Sequence, residues 1–161
     1  MENENFVVYI ESPLGTLELT STETELISLY FNKTKGENSA NAPEVLQSAV
    51  KQLKEYFEGK RQNFELKLAP KGTEFQRKVW NELLNIPYGT TISYIELANR
   101  LNNPKAVRAV GTANGSNPIS IFIPCHRVIG SNGKLVGYGG GLANKQILLE
   151  IEHKNSEPGL F

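Results

Sequence analysis

The sequence predicts a chain of two small units: an α/β unit of antiparallel strands plus a helix over residues 1–71, then a mostly α winged helix-turn-helix unit over residues 72–161. Three observations carry this expectation. The first thirty residues hold β-rich runs broken by Ser12-Pro13-Leu14-Gly15; two short helical stretches flank Asn102-Asn103-Pro104; and Asn132-Gly133, the strongest short hairpin signal, lies between apolar dipeptides. A length of 161 residues with 39% apolar content is enough for one compact domain or two small ones.

Phe6 to Glu11, Thr16 to Thr20 and Glu25 to Phe31 read as strands of an antiparallel meander. After the polar loop Lys33 to Ala42, Pro43 opens a helix, its missing N–H falling where no intrahelical partner exists. Val45, Leu46, Ala49, Val50, Leu53, Tyr56 and Phe57 recur at helical spacing, which aims one face at the strands, and Gly59 ends the helix. Asn63 to Ala69 is expected to return as a strand, and Pro70-Lys71-Gly72 to divide the units.

Thr73-x-x-Gln76 has the form of a capping box and starts an amphipathic helix to about Asn85, broken by Pro87-Tyr88-Gly89. Ser93-x-x-Glu96, a second such box, starts a short helix through Leu101, and another runs from Lys105 to about Ala113. Joined by a tight turn, these two form the helix-turn-helix candidate. Ile119 to Ile123 reads as a strand, Val128-Ile129 and Leu135-Val136 as the arms of a hairpin wing, and Leu142 to about His153 as a closing helix.

Composition narrows the chemistry. The 17 acidic residues are all Glu, with one Cys and two His. One Cys forms no internal disulfide, and this set does not readily supply the four ligands of a structural zinc site, so neither metal nor cofactor is expected. No apolar run approaches the roughly 20 residues of a membrane span, and the polar, acidic start differs from a signal peptide; a cytoplasmic protein is expected. The net charge of zero hides an asymmetry: residues 1–71 carry 8 Lys/Arg and 11 Glu, net −3, whereas residues 72–161 carry 9 Lys/Arg and 6 Glu, net +3. From Leu97 to Leu149 there is no acidic residue, while Arg100, Lys105, Arg108, Arg127, Lys134 and Lys145 all fall there. Such a stretch suits a polyanion, since each phosphate contacted releases counterions.

Cys125, between Pro124 and His126, sits in that basic stretch. It is either a small buried hydrophobe or a nucleophile, and the second role needs a base or a positive charge, for which His126 and Arg127 are candidates. If His126 is the base, its far nitrogen needs an acceptor, and without Asp that acceptor is a Glu, an amide or a backbone carbonyl. Glu150 and Glu152 are the nearest downstream acids; Glu150 fits an ordinary solvated face. The run Gly137-Tyr138-Gly139-Gly140-Gly141 lets bare backbone approach a flat ligand, or serves only as a loop into the last helix.

Pro124-Cys125-His126-Arg127-Val128, with Asn117-Pro118 before it and the Tyr138 glycine run after it, resembles the O6-alkylguanine-DNA alkyltransferases. The resemblance extends through Ile92-Ser93-Tyr94, Asn103 to Gly111, Gly140 to Ala143 and Ser12 to Leu17, covering effectively the whole chain. It implies a ribonuclease-H-like N-terminal domain and a single-turnover repair protein, a methylated-DNA–protein-cysteine S-methyltransferase. Such a protein extrudes O6-alkylguanine from duplex DNA, with O4-alkylthymine a second candidate lesion, and moves the alkyl group irreversibly to its own cysteine. It implies a monomer that contacts no membrane.

By the same resemblance, Cys125 is the nucleophile, His126 draws its proton through a water, Glu152 holds the imidazole tautomer, and Asn117 supports the active-site turn. Tyr94 donates its hydroxyl to the guanine ring nitrogen as charge develops on the leaving base. The pocket comprises Tyr94, Val128, Tyr138, Gly139 and Ser120: carbonyls of Cys125 and Val128 accept from the exocyclic amine, and the Gly139 amide reaches O6. Many relatives carry Ser at Gly139 and some carry Pro at Ser120. Arg108 matches the residue that fills the base stack, Ala109 and Gly111 let the helix sit close in the minor groove, and Asn103, Gln76 and Ser131 match phosphate-contacting positions.

Two other classes compete: a winged-helix DNA-damage-binding or regulatory protein without alkyl transfer, and a Cys-His hydrolase. Cys125 opposes the first, because related binding-only proteins replace it. The basic surface and the lack of a defined oxyanion motif oppose the second.

Overall fold

Three strands, β1 (Phe6–Ser12), β2 (Gly15–Ser21) and β3 (Leu26–Phe31), form an antiparallel sheet in the order β1-β2-β3. Tight turns join them, and the register pairs Val8 with Leu19 and Leu19 with Leu29. Alternation places Leu17, Leu19 and Ser21 of β2 on the buried face, where α1 (Glu44–Phe57) lays Leu46, Ala49, Leu53 and Tyr56. The computed structural model describes residues 4–31, 34–133, 138 and 140–156. The chain divides into two compact units, Met1–Lys71 and Gly72–Phe161.

In the first unit the outer edge of β1 is covered by a loop: Ser39 N–H donates to the Val7 carbonyl at 2.9 Å, and Tyr9 N–H donates to Asn38 Oδ1 at 2.9 Å. This blocks edge-to-edge pairing. Residues 63–69 do not form the expected strand. They touch the sheet only at a parallel bridge, Leu26 with Leu68. The physical reason is Gln52, whose side chain takes the backbone groups a ladder needs: Glu65 N–H donates to its Oε1 at 2.8 Å, and its Nε2 donates to the Glu65 carbonyl at 3.2 Å.

The second unit begins with α2 (Glu74–Leu83), whose capping box is complete: Gln76 N–H donates to Thr73 Oγ1 at 3.1 Å and Thr73 N–H to Gln76 Oε1 at 2.9 Å. Trp80, on its buried face, donates from Nε1 to the Ala113 carbonyl at 2.8 Å. Gly72 lies flat against that indole; a Cβ there would stand 2.4 Å from Trp80 Cη2. Gly72→Ala is therefore expected to destabilise the protein by about 1–3 kcal/mol, the usual cost of overpacking, measured from urea midpoints at constant m-value. A midpoint equal to wild type would mean that the indole moves aside freely.

Next come β4 (Ile92–Ser93) and α3 (Tyr94–Arg100). Ser93 caps α3 by accepting from Glu96 N–H at 3.0 Å, but Glu96 turns to Arg100, which donates from Nη2 at 2.8 Å, so the expected box has only one half. The following helix starts later than the sequence indicates. Pro104–Ala106 is a 3₁₀ turn, entered through Asn102 at φ 57°, and α4 runs Val107–Gly115. β5 (Val128–Ile129) pairs in parallel with β4, and α5 (Leu142–Ser156) buries Lys145, Leu148 and Glu152. The second arm of the hairpin wing, Leu135-Val136, lies outside the described residues. Among the described residues no helix is long and apolar enough to cross a membrane.

Candidate active site

Residues 117–127 build the site, and their fold differs from the expected strand at Ile119 to Ile123. Asn117, buried between α4 and this segment, folds it into a tight turn: Ile119 N–H donates to its Oδ1 at 2.9 Å, and its Nδ2 donates to the Ile123 carbonyl at 2.7 Å. Ile121 takes φ 74°, a conformation that β-branched residues rarely adopt and that the surrounding bonds must hold. Four apolar residues around Ser120 look like a buried strand, but only Ser120 and Ile123 form a bridge. The chain then enters the 3₁₀ turn Cys125–Arg127, all three residues of which are buried.

His126 and Arg127 both turn onto Glu152 of α5. His126 Nε2 lies 2.6 Å from Glu152 Oε2; Arg127 donates from Nε to Oε1 at 2.8 Å and from Nη2 to Oε2 at 3.0 Å. Gly89 N–H adds a bond to Oε1 at 3.2 Å. Gly89 has φ +78°, and a Cβ there would stand 2.6 Å from that of Ser156, so the loop comes this close because the position is glycine. Arg127 also donates from Nη1 to the Ile86 carbonyl at 2.7 Å and lies 5.6 Å from the centre of the Tyr88 ring. His126 Nδ1 is buried and no described residue hydrogen-bonds it. Of the acids weighed from sequence, Glu152 joins His126 and Glu150 is exposed.

Around the thiol stand Asn117, Ser120 and Lys145. Burial pushes the Cys125 thiol up, against hydrogen bonds from Asn117 and Ser120 and the positive charge of Lys145, which favour the thiolate. Lys145 is buried, donates from Nζ to the Val128 carbonyl at 2.7 Å and lies 6.0 Å from the centre of the Tyr94 ring. Burial lowers its ammonium to about 8. The Cys125 carbonyl accepts from Asn114 Nδ2 at 3.3 Å, and Asn114 also hydrogen-bonds the Tyr94 hydroxyl. Tyr94, half-buried at the start of α3, and Tyr138 both have hydroxyls raised by burial and by the nearby Cys125, with Ser120 acting in the opposite sense on Tyr138. Thus Cys125, Asn117, Ser120, Tyr94, Val128 and Tyr138 come together. Gly139 lies outside the described residues.

The sequence names Lys145 only as one cation of the basic stretch and gives Asn114 no role at the site. Lys145 shares with Leu148 and Glu152 the inward stripe of α5, a spacing of three and four residues, but a lysine there reads as solvated. Asn114 follows the buried Val110 by four residues, which was the available signal.

Arg108 and Ala109 are exposed near the start of α4, Asn103 is exposed just before the 3₁₀ turn, and Ser131 is exposed in the turn after β5. Gly111 is partly covered, with Tyr94 3.6 Å from where its Cβ would be. Gln76 is already engaged through Oε1 in its capping box. No group of three or more metal-capable acids, His or Cys occurs among the described residues.

The site sets the acid sensitivity of the fold. Burial lowers the His126 pKa below that of a free imidazole, with Glu152 pulling the other way. Burial would raise Glu152, but the bonds and charges of His126 and Arg127 outweigh it and hold the carboxyl well below the usual range. In the unfolded chain both groups take protons that the folded one refuses, so acid destabilises. The His126 contribution is complete above about 6.5 and fades below it, and that of Glu152 fades below about 4.3. The urea midpoint is expected to fall from neutral to mildly acidic pH, and less steeply in His126→Gln; equal slopes would remove His126 from this account.

Two short helices joined by a tight turn, the second exposing Arg108, beside a buried cysteine and a carboxylate-held imidazole form an arrangement suited to a DNA-binding protein with a nucleophilic thiol. Comparison with known proteins refines this. Family profiles described as "6-O-methylguanine DNA methyltransferase, DNA binding domain" and "6-O-methylguanine DNA methyltransferase, ribonuclease-like domain" match residues 74–154 and 6–70. The methylated-DNA–protein-cysteine methyltransferase of Methanosarcina acetivorans is 48% identical over 154 residues, covering 91% of this chain and 97% of its own. The crystal structure of the Mycobacterium tuberculosis O6-methylguanine methyltransferase superposes with a TM-score of 0.87 at 43% identity, covering 98% of each chain. The M. tuberculosis OGT in complex with DNA gives 0.84 at 45% identity, covering 92% of this chain and 93% of that one. The chain belongs to the 6-O-methylguanine DNA methyltransferase family.

Proposed function

We propose that this protein binds duplex DNA, extrudes an O6-alkylated guanine and transfers the alkyl group to Cys125 Sγ, once per molecule. Residues 72–161 carry the chemistry and the DNA contacts and residues 1–71 act as scaffold, in a monomer working in the cytoplasm. The observation that carries the reading is the thiol itself, on a turn pinned by Asn117 and next to a buried imidazole held by a carboxylate.

The thiol proton passes through a water to His126 Nδ1. The thiolate attacks the alkyl carbon; the S–C bond forms as the C–O6 bond breaks, and the electron pair stays on the purine. Tyr94 gives its proton to the ring nitrogen, and the imidazolium restores it, so the net movement is one proton from thiol to guanine. A soft sulfur suits this displacement better than an oxygen nucleophile. The carbonyls of Cys125 and Val128 are assigned to the exocyclic amine; that of Val128 accepts from Lys145 Nζ, and that of Cys125 already accepts from Asn114 Nδ2 and the Val128 N–H, so the amine shares it with them. The Gly139 N–H is assigned to O6.

Arg108 takes the place of the flipped nucleotide in the stack, and the small Ala109 and Gly111 let α4 approach the minor groove, with Asn103, Gln76 and Ser131 on phosphates. Mixing the protein with a duplex containing O6-methylguanine is expected to add one methyl mass, located on Cys125, to an equimolar limit; Cys125→Ala should gain none. Tight binding to the damaged duplex with no gain of mass would replace this reading with that of a damage-binding protein.

A further inference from the structure

We propose that Arg127 is a positioning residue of the transfer site: it balances the Glu152 carboxylate so that His126 stays a neutral imidazole, with its proton on Nε2 and an open lone pair on Nδ1. The proposal rests on the alkyl-transfer reading and names how its base is kept empty.

A carboxylate offers about four lone-pair positions and no proton. At Glu152 all four are taken by donors: Arg127 Nε and Gly89 N–H on Oε1, His126 Nε2 and Arg127 Nη2 on Oε2. His126 must therefore present an N–H at Nε2, which fixes the tautomer and leaves Nδ1 as the acceptor. The guanidinium does not depend on Glu152 for its place, because the Ile86 carbonyl and the Tyr88 ring hold its other side.

Charge supplies the second half of the argument. Arg127 is permanently charged, and with Glu152 it makes a neutral buried pair. Without it, the nearest counterion for a buried carboxylate is the imidazolium 2.6 Å away. An imidazolium has no lone pair at Nδ1 and cannot take the thiol proton. The groups facing the ring act in the same sense or are neutral: Lys145 from α5 opposes a positive ring, the Cys125 thiol shares its turn, and Tyr88 and Tyr138 bring hydroxyls near Glu152.

The test uses the full chain with nitrogen-15 histidine, the His126 ring signals being assigned by comparison with His126→Gln. Near neutral pH the wild type should show a neutral ring protonated at Nε2. Arg127→Met should show an imidazolium and lose transfer to methylated duplex on the order of 100-fold, within the range that general-base assistance supplies. Arg127→Lys, which keeps the charge but not the fork, should restore a neutral ring and transfer within about tenfold of wild type. If Arg127→Met does not fold, Arg127→Met combined with Glu152→Gln removes both charges and should fold with a neutral ring. A wild-type ring that is charged or protonated at Nδ1, a folded Arg127→Met with a neutral ring and full activity, or a charged ring in the double variant would each overturn the assignment. A wild type with the expected ring state that transfers no methyl would instead sink the alkyl-transfer reading.

Discussion

Replacing Glu152 by Ala is expected to cost about 3–5 kcal/mol of folding free energy, the usual penalty for leaving one partner of a buried ion pair uncompensated. The reason is the number of groups it serves. Its two oxygens receive the imidazole, both arms of the Arg127 fork and the Gly89 amide, and it is 1% exposed. Removing it strands a guanidinium that is 6% exposed and frees the loop between α2 and β4. Against a total stability of roughly 5–15 kcal/mol this is a large fraction, visible as a lowered denaturant midpoint. Transfer should also slow at temperatures where the variant stays folded, because the His126 tautomer is no longer fixed. A loss under about 1 kcal/mol would place the cluster in effective contact with solvent and deny the carboxylate this role.

Arg108→Ala is expected to slow transfer from duplex DNA by about 100-fold while leaving reaction with free O6-benzylguanine within about twofold of wild type. Unstacking a base costs a few kcal/mol, and the side chain that refills the gap returns much of it. A free base has no stack to leave. Arg108 is exposed near the start of α4, while the buried part of that helix reaches the nucleophile through Asn114. The variant should therefore leave the chemistry untouched. Equal losses on duplex and free base would reject the extrusion role.

Local signals in the sequence suffice where one element decides its own geometry. The three β-rich runs form the three strands, β2 alternating cleanly, the Thr73 box closes with both of its bonds, and the apolar stripe of α1 is the stripe that packs. The sequence fails where a side chain from elsewhere takes over the backbone. Ile119 to Ile123 has the composition of a strand, but Asn117 satisfies the groups that a neighbouring strand would have taken. Residues 63–69 meet the same fate through Gln52. The nucleophile and its imidazole sit side by side in the chain and are easy to nominate. The Arg127–Glu152 fork spans 25 positions, and Lys145 buries a charge where its residue type alone suggests a solvated one. Such pairings depend on compensation between distant residues, which no local pattern records.

The helix α4 also acts as a ruler. Arg108 and Asn114 are six positions apart, which at 1.5 Å per residue is roughly 9 Å of rigid rod between the end that exposes Arg108 and the residue bonded to the Cys125 carbonyl. The reach from helix to sulfur is thus set by a count of residues rather than by a loop. Inserting a single alanine between them would turn the two ends by about 100° relative to one another, so that DNA could still be grasped while the sulfur no longer faced the extruded base.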